Sequence, residues 1–447
     1  MLMKGKAMRR ATVMLFIAGF LMSLMPAQAV SPLLAGAVAS DNIDFVANIP
    51  DAPAIGARII GNLMYVTGSQ GVRIYDISKG LPILQGALEL PHFENEDVDT
   101  NGKILLIAAD HAFSFPTNVL YVIDVSNPLV PMLLSATTTA SGHTAACILD
   151  CRYAWLSGAS APGIEVIDLA DPTRPRRLGR FGPASHAVSV DPTGIAWVSA
   201  WDGLYAYDLN GYDPEVNPEP KPLGLNGWMD RESGFHNKFI IHNTMRPYAD
   251  LPTPAQLADN KLDKGELVVV TEENWTAATN GMCKDDGQFQ TGWYRTVDGV
   301  ARVDKLGAFS IGTGTISEAK KPAALVACSS HFFDYKDEIV VDGWYEQGLR
   351  LLDVSDPLDI RQVGYYMPAV TEVWAAKFNV VGAETYIYTF DAARGIDVLK
   401  FTGAAGDPAA LAPRFNTMTG RFSRPTRDWG YLCRLHGLGP PDVAVQK

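Results

Sequence analysis

Leu349-Arg-Leu-Leu-Asp353-Val-Ser-Asp-Pro357 is the stretch that decides the fold. Apolar residues alternate into an aspartate, and a small polar turn then closes on Asp-Pro, the pattern of a half-buried strand running into a tight turn. The phrase recurs at 72–78 (VRIYDIS), 120–128 (LYVIDVSNP), 164–172 (IEVIDLADP) and 204–214 (LYAYDLNGYDP). Its aspartates are Asp76, Asp124, Asp168, Asp208 and Asp353, and the first three gaps are 48, 44 and 40 residues. Such a period holds four short strands and is far too long for a one-strand solenoid coil, so the repeat predicts the blades of a β-propeller.

Working outward, residues 84–91, 178–183 and 363–368 read as outermost fourth strands, and so does 45–50 (FVANIP). The last of these precedes any blade it could complete, whereas the final repeat, 372–401, has three strands and no fourth. Pairing the two closes the ring and removes exposed sheet edges. Counting the five aspartate units, a degenerate unit at 293–310 and the unit ending at 396–401 gives seven blades. The expected fold class is therefore all-β, a single seven-bladed propeller over 44–402, with an N-terminal strand closing the last blade. Residues 30–43 are expected as a flexible lead-in, the proline-rich 211–264 as an insertion facing a partner, and 403–447 as an irregular tail.

The segments Leu120-Tyr-Val-Ile-Asp124 and Ile164-Glu-Val-Ile-Asp168 resemble the LVIVD-repeat family. The resemblance covers most of the chain and implies an exported or surface propeller. It implies no shared activity, because fold does not fix chemistry.

The chain begins with Lys4, Lys6, Arg9 and Arg10, continues with an apolar run over 11–25, and reaches Ala27-Gln28-Ala29. This reads as a secretory signal peptide over 1–29, cut before Val30 and too short to span a membrane. Arg9-Arg10 leaves a twin-arginine address as the alternative to the general secretory route. No later apolar run predicts a transmembrane segment, and the expected location is periplasmic or extracellular. Removing the four leader cations from 37 leaves 33 basic against 49 acidic residues, a net charge of −16. Such a surface repels a phosphate backbone, which argues against nucleic acid as a partner. The expected partner is a protein or a small-molecule ligand of unidentified kind.

Five cysteines in an exported chain invite pairing. Cys147 and Cys151 flank a three-residue stretch that reads as a hairpin turn and are the expected disulfide. Cys283, Cys328 and Cys433 leave the second pairing open.

A histidine recurs just before the innermost strands, where residues from every blade converge on the channel mouth: His143, His186, His236 and His331, with Glu372 in the last blade. Imidazoles and carboxylates converging on an axis suit Cu, Zn, Fe or Mn. The competing readings are histidines that brace the strand turn, copied with the repeat, and metal-free acid–base use. A ligand rim is expected from His92, Glu94 and Glu96, from His242, and from the hairpin loops carrying Trp201, Trp344, Tyr345, Glu346 and Arg394. There is no nucleophile elbow, phosphate loop or zinc-protease helix motif. The leading functional expectation is thus an exported binding or interaction module with a metal at its mouth. The alternative is a metal-dependent oxidase or hydrolase using the same histidines, similar in architecture and histidine usage to the copper-containing propellers of the methanethiol-oxidase type.

Overall fold

The computed structural model describes residues 37–50, 53–91, 98–109, 117–158, 163–226, 240–249, 256–257, 262–273, 287–311, 329–368 and 370–403. They form seven antiparallel sheets arranged as the blades of a propeller, each four strands deep. From the axis outward, blade 1 is Ala54–Ile60, Leu63–Gly68, Gly71–Asp76 and Ile83–Leu88. Blade 2 is Val98–Thr100, Ile104–Ala109, Asn118–Asp124 and Met132–Thr139. Blade 3 is Thr144–Ile148, Tyr153–Ser157, Ile164–Asp168 and Arg176–Phe181, and blade 4 is Ser185–Val190, Ile195–Ala200, Gly203–Asp208 and Lys221–Asn226. Blade 5 is Ile240–Met245, Leu267–Glu273, Phe289–Val297 and Val300–Phe309. Blade 6 is Phe333–Lys336, Ile339–Gly343, Leu349–Asp353 and Arg361–Met367. Blade 7 is Val373–Val381, Glu384–Asp391, Gly395–Phe401 and, from the start of the chain, Ile43–Ile49.

The ring is closed as the sequence predicts. Asn48 donates its amide to the buried Asp397 carboxylate at 2.7 Å, and Arg394 pairs with the same carboxylate at 2.9 Å. Blade 7 is tied to blade 1 by the Tyr388 hydroxyl on the Gly80 carbonyl at 2.7 Å.

The repeated aspartate has a local cause. In five blades its Oδ1 accepts the main-chain N–H two residues on: Ser78, Ser126, Ala170, Asn210 and Ser355, all at 2.8–2.9 Å. The carboxylate thereby ends the third strand and starts the turn to the fourth. The strands leading into it are more buried than alternation suggested: Ile164–Asp168 is buried throughout, because neighbouring blades cover both faces. Trp155, Trp197 and Trp344 are fully enclosed in that inter-blade packing.

The fourth strands carry their own device, a register shift where a glycine or serine replaces a bulky residue. There the backbone comes close to the next blade. A Cβ on Gly86 would lie 2.4 Å from the Pro128 oxygen, and one on Gly307 would lie 2.4 Å from the Pro357 oxygen. The proline turn of one blade, Asn127-Pro128 or Asp356-Pro357, therefore seats on the outer strand of the blade before it.

Two expected boundaries are corrected. Part of the lead-in is ordered: Val38–Ala39 adds a fifth strand to blade 6, fixed by Asn42 Nδ2 on the Val363 oxygen at 2.9 Å and by the Tyr365 N–H on Ser40 Oγ at 3.0 Å. The segment 211–264 contains two blade strands, Lys221–Asn226 and Ile240–Met245. Its prolines obscure the period, yet Pro222 is harmless on an outermost strand, where one edge needs no N–H donor. The leader, residues 404–447 and Cys283, Cys328 and Cys433 lie outside the described residues. Cys147 and Cys151 are joined by a disulfide, with Cα atoms 4.2 Å apart. Among the described residues no helix is long and apolar enough to cross a membrane.

Candidate functional site

The innermost strands of four blades share a bulge near their start, and the residue left out of the pairing is Ile55, His186, His242 or Trp374 in blades 1, 4, 5 and 7. A bulge re-aims one side chain out of the alternating pattern. His186 and His242 are thereby brought ring to ring, their centroids 3.9 Å apart. His143, just before the inner strand of blade 3, places Nε2 2.9 Å from Nε2 of His186. His331, just before that of blade 6, stacks 3.9 Å beyond His242. Four imidazoles from blades 3 to 6 thus form one row, with the Phe332 ring 4.5 Å from His242 and 4.9 Å from His331. His186, His242 and His331 are buried.

A carboxylate joins them from blade 5. Glu273 ends the second strand, and one ligand atom each from His186, His242 and Glu273 lie within 4.8 Å of one another. Tyr345, in the hairpin of blade 6, donates its hydroxyl to Oε1 of Glu273. His331 Nε2 lies 3.8 Å from the same oxygen, while its Nδ1 is 2.7 Å from the main-chain oxygen of Trp374. A carbonyl oxygen only accepts, so Nδ1 carries the hydrogen, and Nε2 is the ring nitrogen turned toward the carboxylate. Behind His331, Asp342 accepts the Ser330 hydroxyl at 2.6 Å, and burial holds its carboxyl well above the usual carboxylate range.

Of the expected ligands, His143, His186 and His331 come together. His236 lies outside the described residues, and blade 5 supplies His242 instead, because its inner strand starts at Ile240. Glu372 does not hold the position equivalent to His186. Trp374 occupies that bulge, and Glu372 stands half-buried two residues earlier. Of the expected rim, Trp201 is partly exposed, but Trp344 and Arg394 are buried, the first against Phe309 with ring centroids 5.6 Å apart, the second on Asp397. Tyr345 is also buried and faces the histidine row, its ring 4.7 Å from His331, and Glu346 is half-buried in the same turn. His92, Glu94 and Glu96 lie outside the described residues. Glu273 was not anticipated. Its signal was an acid at the mouth end of a second strand, as also in Asp342 and Asp391.

Comparison with known proteins shows the fold and no more. No family model matches the chain. A 124-residue stretch is 30% identical to the Arabidopsis thaliana protein INVOLVED IN DE NOVO 2, spanning 27% of this chain and 19% of that protein's length. Among solved structures, the N-terminal domain of Nup159 aligns over 81% of this chain and 95% of its own at 10% identity, with a TM-score of 0.46. The β-propeller domain of Cps50 (Swd1) from Myceliophteria thermophila covers 80% of this chain and 99% of its own at 10% identity, with a TM-score of 0.52. The chain is a seven-bladed β-propeller.

Proposed function

We propose that this protein is an exported propeller that binds one first-row transition-metal ion at its channel mouth, with His186, His242 and Glu273 as ligands and His331 as a fourth donor. The observation that carries this reading is that one ligand atom each from His186, His242 and Glu273 lie within 4.8 Å of one another. With Nδ1 committed to the Trp374 oxygen, His331 directs its other ring nitrogen toward the same carboxylate. Two imidazoles and a carboxylate suit Zn, Cu, Fe or Mn. Donors around such an ion sit about 2.0–2.2 Å from it and hence about 3.4 Å from one another in a tetrahedral set, so the 4.8 Å spread closes with side-chain movements on the order of 1 Å.

A site drawing ligands from blades 4, 5 and 6 lies where a propeller binds partners or small molecules. Whether the ion serves binding or oxidase or hydrolase chemistry turns on an open coordination position, which a tetrahedral site has only where His331 stands off the ion and three protein ligands hold it. Calorimetric titration of chelator-treated protein with Zn²⁺ tests the reading. One ion per chain should bind, and His242→Ala and Glu273→Ala should each weaken binding at least tenfold. Absence of binding, or full binding by both variants, would overturn it.

A further inference from the structure

A separate feature sits on the outside of blades 1 and 2. The fourth strand of every blade is an edge, and exposed edges recruit other strands unless they are guarded. Blade 3 guards its edge with Arg176, Arg177 and Arg180, blade 4 with Lys221 and Pro222, and blade 5 with Arg302, Asp304 and Lys305. Blade 6 is covered by Val38–Ala39, and blade 7 carries Asp44. Among the described residues, the fourth strands of blades 1 and 2 carry no charged side chain and no covering strand. Ile83–Leu88 reads ILQGAL and Met132–Thr139 reads MLLSATTT, and no charged residue occurs between Asp124 and Asp150.

The same two edges hold a strip of exposed aliphatic side chains. Ile83, Leu84, Leu129, Val130, Met132 and Leu133 are each 44–60% exposed. They are continuous across the blade boundary, because the Gly86 backbone seats on the turn at Pro128 and Leu129. Scattered single hydrophobes need no explanation, but a contiguous strip beside an unguarded strand does.

We infer that this strip is the contact between two copies of the chain, with Met132–Thr139 pairing antiparallel with itself across a two-fold axis. The chain carries a net charge of −12, so two copies repel across most of their surface. This uncharged strip lets them meet without that penalty, and a two-fold contact requires a patch complementary to itself, which an uncharged aliphatic strand edge provides. Six half-exposed aliphatic side chains and the strand edge cover on the order of 600 Å² per copy, close to the ~800 Å² that one side of a specific interface buries. Blade 2 then continues into the partner's blade 2 as one sheet, in the manner of strand addition.

Sedimentation equilibrium of the full mature chain tests this at micromolar concentrations. The wild type should have the mass of a dimer, Leu129→Glu/Met132→Glu should be monomeric, and Val216→Glu, a change at a still more exposed aliphatic residue on blade 4, should remain dimeric. Ala136→Lys provides a second disruption should the double variant fail to fold, judged by near-ultraviolet circular dichroism. A monomeric wild type, including one whose strip is shielded from hydroxyl-radical labelling by another segment of the chain, would overturn the inference, and so would a dimer unaffected by both disruptions.

Discussion

Tyr345 of blade 6 donates its hydroxyl hydrogen to the Glu273 carboxylate of blade 5. The bond crosses a blade boundary and fixes one oxygen of the only acid in the row of imidazoles among the described residues. Outer partners of this kind orient a metal ligand and are typically worth 10–100-fold in metal affinity. Tyr345→Phe keeps the ring packing against His331 and Trp374 and removes only the donor. It should weaken Zn²⁺ binding by roughly tenfold, read by competition with a chromophoric chelator. Unchanged affinity would mean that Glu273 is not a ligand.

His331 should separate into two halves. His331→Asn places a donor near the Trp374 oxygen and deletes the Nε2 donor atom, so metal affinity should fall while the metal-free protein keeps its melting temperature within a few degrees. His331→Gln does the reverse and should lower the melting temperature of the metal-free protein, because the Trp374 oxygen loses its 2.7 Å partner. Differential scanning calorimetry in chelator distinguishes the two.

The closure of the ring carries a pH dependence. Asp391 is fully buried, accepts the Thr371 hydroxyl at 2.6 Å, and lies 4.0 Å from Arg394, whose charge is already matched by Asp397. Burial pushes its carboxyl up to about 6. A group raised above its unfolded value favours the folded state fully at low pH and loses that contribution as pH rises through the folded value. Asp391 should therefore withdraw about 3 kcal/mol of stability between pH 4 and a little above 6. Asp391→Asn should lack that portion of the pH profile, measured by denaturant unfolding at pH 4.5 and 7.5. Parallel profiles for the two proteins would contradict the assignment.

The seat between blades is steric. Gly307→Ala drives a methyl to 2.4 Å from the Pro357 oxygen, and overpacking of this kind should cost about 1–3 kcal/mol. Gly382→Ala meets nothing within 4 Å but sits at φ +62°, which should cost about 1 kcal/mol of backbone strain. The denaturation midpoint should fall further for the first. Equal shifts would show that the seat can give way.

The repeat was readable because one residue, the strand-ending aspartate, does the same local work in five blades. Hydrogen bonding within three residues leaves a sequence signal, and closure by the strand at Ile43–Ile49 followed from counting strands. Blade 5 lacks the aspartate, and prolines mask its approach, so spacing points to His236, which lies outside the described residues, while the inner strand Ile240–Met245 carries His242. Glu273 left little signal because it is defined by which second strands end at the mouth. Trp344 and Arg394 were misread as rim because a hairpin residue can fold inward as easily as outward, and packing between blades decides which. The bulges that place His186 and His242 are set by pairing across strands, which spacing along the chain does not reveal.

The most direct test is a crystallographic anomalous difference map of Zn²⁺-loaded protein collected at the zinc edge. The account predicts one peak per chain among His186, His242, Glu273 and His331, about 2.0–2.2 Å from each nitrogen and oxygen donor. A map with no peak there, or with its only peak elsewhere on the chain, would contradict it.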